Sequence, residues 1–154
     1  MQLDKLCVAC FSPTHTSMKI ARAIADGMHI ARREEIDLTT DPADTPISVR
    51  NAICIVAAPV YGGLVAPVAV RRIARLRAEN SIAIPVVVYG NRDYEDALVQ
   101  LRDLLHAQGF TPLCGAAFVG EHSYSRPGKA VLMPPTCRRP PLSGRRHTTA
   151  CCTN

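Results

Sequence analysis

Apolar runs and helically spaced segments alternate along most of the chain. The apolar runs are short and nearly continuous, as expected of parallel strands that are buried on both faces. The predicted strands are Leu3–Phe11, an alternating edge segment over 33–38, Ala52–Ala58, Ile82–Tyr89 and Phe110–Val119. Short loops separate them from the helical segments. The pattern predicts an α/β protein with a parallel sheet, helices on both faces and right-handed crossovers.

Three amphipathic helices are predicted between these strands. They span about 16–29, about 65–77, and the stretch between Asp93 and the stop signal Gly109. The second helix carries arginines around its polar side, and this charge is expected to form a solvated face. These arginines are Arg71, Arg72, Arg75 and Arg77. Residues 39–51 contain two prolines and are predicted to form a loop with at most one helical turn.

The loop after the first strand combines hydroxyl groups with the start of a helix. The segment Ser12-Pro13-Thr14-His15-Thr16-Ser17 offers four hydroxyls, and its N–H groups lie at the positive end of the helix dipole. The sequence contains no ATP-binding P-loop, no dinucleotide fingerprint and no thiol-phosphatase spacing. Two interpretations stay open: a site that holds a phosphate by hydrogen bonds, or a Ser/Thr-rich helix cap.

Two further loops follow predicted strands. The segment Pro59-Val60-Tyr61-Gly62-Gly63 places a tyrosine beside two glycines, and the fourth strand is followed by Gly90, Asn91 and Tyr94. In open parallel sheets, ligands bind outside the carboxyl ends of the strands, where the strand order reverses. We therefore expect the three loops to bind one planar, phosphate-bearing ligand.

The overall composition indicates one globular domain. The chain has 154 residues, of which 47% are hydrophobic. The sequence contains no apolar run of membrane-spanning length and no signal peptide, which predicts a cytoplasmic protein. Seven cysteines, an odd number, favour reduced thiols over a disulfide framework. Cys7 and Cys10 have C-x-x-C spacing, but strand residues three apart face opposite sides, which favours two core thiols over a redox pair.

The net charge of +5 originates in the C-terminal segment. Residues 1–125 hold 12 Lys and Arg against 13 Asp and Glu, whereas residues 126–154 hold 6 Lys and Arg and no acid. Five prolines exclude a long helix from this segment, and its composition favours solvated disorder over nucleic-acid or membrane binding. We predict a folded domain over 1–125 and a Pro/Arg-rich tail over 126–154. The abrupt change in composition suggests that a frameshift or truncation replaced the native ending near Arg126.

Three segments give the sequence its resemblance to a known family. They are Phe11-Ser12-Pro13-Thr14-His15-Thr16-Ser17, Ala58-Pro59-Val60-Tyr61-Gly62-Gly63 and Val88-Tyr89-Gly90-Asn91-Arg92-Asp93-Tyr94-Glu95-Asp96-Ala97-Leu98. Over about Lys5 to Ser125 the sequence resembles flavodoxin, and in particular the short flavodoxin-like domains that are sometimes fused to a ferredoxin module. The resemblance implies a three-layer, doubly wound parallel sheet with strand order 2-1-3-4-5. It also implies FMN as cofactor and electron transfer as activity.

The same resemblance implies roles for individual residues. The hydroxyls of the first loop, helped by the His15 backbone, would hold the FMN phosphate. Tyr61 would stack on the isoalloxazine ring, and Tyr94 would flank its other face. The Gly62-Gly63 peptide could flip and offer a carbonyl to the flavin N5–H after one-electron reduction, which favours the semiquinone. The full set of implied cofactor-binding residues is Ser12, Thr14, His15, Thr16, Ser17, Pro59, Tyr61, Gly62, Gly63, Gly90, Asn91 and Tyr94.

The leading functional hypothesis is a one-electron carrier that works with separate reductase and acceptor proteins, without a nucleic-acid or membrane partner. One alternative is an FMN-dependent NAD(P)H or quinone reductase. Another is a degenerate flavodoxin-like domain that has no cofactor. The fold also requires a helix after the fifth strand, which the tail is expected to lack. The resulting uncovered apolar sheet would favour partner binding, self-association or instability.

Overall fold

The computed structural model describes residue 3 and residues 5–40, 44–90 and 93–120. The strands are β1 (Lys5–Cys10), β2 (Arg33–Asp37), β3 (Ile47–Arg50), β4 (Ala52–Tyr61), β5 (Leu64–Val65), β6 (Leu76–Glu79), β7 (Ile82–Tyr89), β8 (Thr111–Pro112) and β9 (Ala116–Val119). The helices are α1 (Thr16–Gly27), α2 (Pro67–Ile73) and α3 (Ala97–Ala107). None of these helices is long and apolar enough to cross a membrane. The predictions for Asn91, for the tail over 126–154 and for the missing C-terminal helix lie outside the described residues.

A parallel sheet forms the centre of the described domain. Its strand order is β2-β1-β4-β7, and both β8 and β9 pair with β7 at the far edge. The short strand β5 adds an antiparallel pairing to the end of β4. The predicted fifth strand is therefore two short strands that lie on the same neighbour. Counted in predicted strands, the order is 2-1-3-4-5, which confirms the flavodoxin-like topology.

The two faces of the sheet carry separate apolar cores. On one face α1 packs side chains such as Met18 against β1, and on the other α2 and α3 contribute side chains such as Ile73 and Leu101. Cys7 lies in the second of these cores and Cys10 in the first, and both are buried. The prediction of two core thiols is thus confirmed. Burial, together with the nearby Asp37 carboxylate, raises the pKa of the Cys10 thiol to about 12.

The predictions for residues 39–51 and 65–77 are partly wrong. Within these segments β3 and β6 pair in parallel as a separate two-stranded sheet, and α2 is only seven residues long. Each of these strands leads into a main-sheet strand through an asparagine with positive φ, 49° at Asn51 and 50° at Asn80. The Asn80 amide nitrogen donates to Asn51 Oδ1 at 2.7 Å. Asparagine tolerates this conformation, so the two strands bend together out of the main sheet.

Candidate functional site

The loops after β1, β4 and β7 lie at one edge of the sheet. These strands are parallel neighbours, with Cys10 opposite Ala57 and Pro59 opposite Val88, so their carboxyl ends coincide. The strand order reverses between β1 and β4, because β2 lies on one side of β1 and the later strands lie on the other. The three loops therefore flank the switch point at which such sheets bind ligands.

Close contacts join these loops to one another and to β9. A Cβ atom built on Gly63 would lie 2.6 Å from Cδ and 3.1 Å from Cβ of Glu95, so the third loop covers the second. A Cβ atom on Gly120 would lie 2.6 Å from Val88 Cγ1 and 3.0 Å from Thr16 Cγ2. The first loop is thus packed against the chain that leaves β9. These contacts link the second loop to the third, and the first loop to the ends of β7 and β9.

Ser12 anchors the first loop by three hydrogen bonds. Its N–H donates to Thr39 Oγ1 at 2.7 Å, and its carbonyl accepts the His15 N–H at 3.0 Å. Its hydroxyl accepts the Met18 N–H at 3.1 Å, and the residue is buried. Ser12 therefore caps α1 from outside the helix, in place of His15, which makes no side-chain cap bond. The sequence left two interpretations of this loop open, a phosphate site or a helix cap. In the structure, Ser12 acts as a helix cap.

The remaining polar groups of the first loop lie together at the start of α1. Thr14 is exposed and Thr16 is half-buried, and their hydroxyl oxygens lie 3.4 Å apart. Ser17 is buried. Among the described residues, no acceptor is found for the N–H groups of Thr16 and Ser17, the first two residues of α1. The first turn of α1 contains no acidic residue. These N–H groups and hydroxyls can hold an anion by hydrogen bonds at the positive end of the helix.

His15 has a left-handed backbone conformation, with φ at 61° and ψ at −1°. A residue with a Cβ atom is strained in this region, whereas glycine is not. We expect His15→Gly to raise the free energy of unfolding by about 0.5 to 1 kcal/mol, after the extra entropy of the unfolded glycine is subtracted. The β-branched variant His15→Val should instead lower it by about 1 kcal/mol or more. Urea denaturation gives both values, and a glycine variant less stable than wild type would contradict the backbone argument.

The second loop is a tight β-hairpin. Tyr61 pairs with Leu64 in antiparallel register, so that Gly62 and Gly63 form a two-residue turn between β4 and β5. Their φ angles are 62° and 82°, the positive pair that a type I′ turn requires. The turn therefore favours glycine at both positions, whether or not a ligand binds. Pro59 is half-buried, and Tyr61 is 53% exposed, which leaves the tyrosine ring free to contact a ligand.

The third loop brings an aromatic pair and acidic groups to the same edge. The Tyr94 ring packs against Tyr89 with centroids 5.4 Å apart and planes tilted by 54°. Gly90 and Tyr94 are half-buried. Part of the Tyr94 ring therefore packs within the protein. The three acids of this loop, Asp93, Glu95 and Asp96, are all exposed. The loop thus offers one aromatic edge and a negative rim.

Two residues that support the first loop, Thr39 directly and Arg72 through Thr39, were not predicted from the sequence as part of the site. Thr39 accepts the Ser12 N–H, and Arg72 Nη1 donates to the carbonyls of Leu38, at 2.6 Å, and Thr39. The prediction of a solvated arginine face is therefore wrong for Arg72, which is half-buried. It is also wrong for Arg75, which is buried and donates to Thr45 O at 3.0 Å. Arg72 in α2 and Arg75 just after the helix therefore bind carbonyls of the chain that follows β2.

The strand order and the helices on both faces of the sheet define a flavodoxin-like α/β fold. Among solved structures, the chain is similar to an apo NADH:FMN oxidoreductase, with a TM-score of 0.57, 19% identity and coverage of 75% of each chain. It is similar to a flavodoxin from Streptococcus pneumoniae, with a TM-score of 0.52, 17% identity and coverage of 78% of this chain and 88% of that one.

A third similarity is to the rubredoxin oxygen:oxidoreductase of the anaerobe Desulfovibrio gigas, with a TM-score of 0.58 and 16% identity. There the alignment covers 77% of this chain but 31% of that one, so the chain corresponds to one part of a larger protein. No protein-family model matches the chain, and no curated protein matches it. At these identities the similarities establish the fold.

Proposed function

We propose that the chain binds FMN at the edge formed by the three loops and acts as an electron carrier. The observation that carries the proposal is the arrangement at the switch point. The start of α1 offers a phosphate the hydroxyls of the first loop and two N–H groups that have no acceptor in the part of the chain that the structure describes, beside an exposed aromatic ring at the end of β4. Bound FMN would supply the exchange of electrons, and the protein would bind and orient the cofactor.

The residues at this edge have the chemistry that FMN needs. The hydroxyls of Thr14, Thr16 and Ser17, with the N–H groups of Thr16 and Ser17, would hold the phosphate. Tyr61 would stack on the flavin ring, and Tyr94 would contact it from the third loop. Ser12 would support this set through its cap on α1. The acids of the third loop place negative charge at the rim, where it would disfavour an additional negative charge on the bound cofactor.

Titration of the purified full-length chain with FMN tests the proposal. We expect flavin fluorescence to be quenched, and FMN to bind about tenfold or more tighter than riboflavin, which has the same ring system but no phosphate. Fluorescence that stays unquenched in excess FMN would overturn the proposal. Equal affinity for the two ligands would show that the first loop is not a phosphate site.

The exposed ring of Tyr61 provides a second prediction. Tyr61→Ala should weaken FMN binding by about tenfold and leave more of the flavin fluorescence unquenched, because a stacking surface is lost. Tyr61→Phe keeps the ring and should bind FMN within about twofold of wild type. Fluorescence titration gives both values. If alanine and phenylalanine have the same effect, Tyr61 does not stack on the flavin.

Steady-state turnover distinguishes a carrier from a reductase of the same fold. A carrier needs a separate donor and a separate acceptor protein, so the FMN-loaded chain should not consume NAD(P)H with a quinone on its own. Sustained consumption without a partner protein would favour the reductase alternative.

A further inference from the structure

Two residues outside the three loops hold the start of the first loop. Thr39 Oγ1 accepts the Ser12 N–H at 2.7 Å, and Arg72 holds the carbonyls of Leu38 and Thr39. We propose that Thr39 and Arg72 are positioning residues that fix the phosphate-binding loop without touching the ligand. The inference rests on the proposed FMN function, because the position of the loop matters for binding only if the loop holds a phosphate.

Thr39 is itself fixed on both sides. Leu38 is fully buried, and its N–H donates to Cys10 O at 2.8 Å, which continues the pairing of β2 with β1. The Thr39 N–H donates to Asp37 Oδ1 at 2.7 Å. Burial raises the pKa of Asp37, but hydrogen bonds from Thr39 and Thr40 outweigh it and lower the pKa below its usual value. Asp37 is therefore a charged acceptor at neutral pH, and the Thr39 hydroxyl has a defined position.

Arg72 ties this segment to the residue that precedes Ser12. The Arg72 guanidinium carbon lies 5.6 Å from the centroid of the Phe11 ring, a cation–π distance. Phe11 is buried, and its N–H donates to Ala57 O at 3.1 Å, which fixes the end of β1. One guanidinium therefore contacts both chain segments that meet at the Ser12–Thr39 hydrogen bond. Because Arg72 belongs to α2, the helix is linked to the first loop through this side chain.

The first loop requires such support because it contains a strained residue. His15 has positive φ, and strained conformations persist where the surrounding structure over-determines them. The turn at His15 is held by two bonds to Ser12, from the N–H groups of His15 and Met18. Loss of the Ser12–Thr39 bond would free the residue that holds this turn. The N–H groups of Thr16 and Ser17 would then point less uniformly at a phosphate.

A matched pair of Thr39 variants tests the positioning role with FMN and riboflavin as probes. Thr39→Val keeps the shape of the side chain but removes the acceptor, and should weaken FMN binding by about five- to tenfold, the effect of one lost hydrogen bond. Riboflavin affinity should stay within about twofold, because riboflavin does not use the phosphate site. Thr39→Ser keeps the hydroxyl and should restore FMN binding. The proposal would be overturned if Thr39→Val lost FMN and riboflavin affinity equally, or if it lost no FMN affinity.

Arg72 gives an independent arm of the same test. Arg72→Met keeps an apolar stem and should weaken FMN binding by a factor similar to that of Thr39→Val. Because both residues act through Ser12, the double variant should lose less affinity than the product of the two single effects. Strictly multiplicative effects would contradict a shared route.

Amide hydrogen exchange of the ligand-free protein separates this proposal from the proposed function. In Thr39→Val the amides of His15 and Met18, which donate to Ser12, should exchange about tenfold faster than in wild type, while those in the interior of β4 stay unchanged. Unchanged exchange at these two amides overturns the positioning role, whether or not wild type binds FMN. If exchange is faster but wild type does not quench FMN fluorescence, Thr39 still positions the first loop, and only the proposed FMN function is refuted.

Discussion

Replacing Thr14 with glutamate should weaken FMN binding by at least about thirtyfold, the effect of roughly 2 kcal/mol of charge repulsion. Thr14 is exposed, and its hydroxyl lies 3.4 Å from that of Thr16 at the start of α1. A carboxylate here would face the phosphate at close range, and residues 12–17 contain no Lys or Arg to screen it. Fluorescence titration at low salt measures the change, which should shrink as salt is added.

Two controls separate this repulsion from a general disturbance of the loop. Thr14→Gln introduces a side chain of the same length as glutamate but without the charge, and it should lose much less FMN affinity than Thr14→Glu. The ligand-free glutamate variant should be at least as stable as wild type, because a negative charge near a helix N-terminus is favourable. If Glu and Gln weaken binding equally, or if riboflavin binding falls as far as FMN binding, the first loop does not hold the phosphate.

The sheet could be predicted from the sequence because its signal is local. The apolar runs of β1, β4 and β7 are continuous, as burial on both faces requires. The apolar stripe of α1 likewise predicts which face of the helix packs on the sheet. Each of these features depends on residues that are close together in sequence.

The β3–β6 pair was missed because its signal is not local. Four residues of each strand pair although β4, β5 and α2 lie between them in the sequence, and the bends at Asn51 and Asn80 carry no distinctive pattern. Leu76 fits the apolar stripe of a longer second helix, yet it is buried in β6. Periodicity does not distinguish a helix that ends early from one that continues when the next apolar residue suits both structures.

For the candidate site, the sequence predicted the loops but not their internal connections. The rule that ligands bind at carboxyl strand ends identifies the three segments, and their contacts follow from the parallel register. The inward orientation of Ser12 depends on Thr39, which follows the edge strand, and Thr39 depends on Arg72 from α2. Such a series of side-chain and backbone contacts can be identified only from the tertiary structure. An arginine on an amphipathic helix gives the same sequence signal whether it faces water or a carbonyl.

The second large predicted effect is on stability, and it arises from the contact between the second and third loops. Gly63→Ala should lower the free energy of unfolding by about 2 to 3 kcal/mol, because it combines left-handed strain with a clash. Gly63 has φ at 82°, and its new Cβ would lie 3.1 Å from Cβ of Glu95 and closer still to the carboxylate. The carboxylate can rotate away, but the Glu95 Cβ is fixed by the backbone. Urea denaturation of the ligand-free protein gives the value.

Gly62 supplies the matched control for this experiment, because it has nearly the same conformation without the neighbour. Its φ is 62°, and no atom lies within 4 Å of its built Cβ, so Gly62→Ala should cost only the strain of about 1 kcal/mol. Glu95 itself has φ at 43°, so the background for the double variant is Glu95→Gly alone. In that background the clash is absent, and Gly63→Ala should cost only about 1 kcal/mol. Equal costs at the two glycines would contradict the contact with Glu95. A cost confined to Gly63 would show that the second and third loops are held together before any ligand binds.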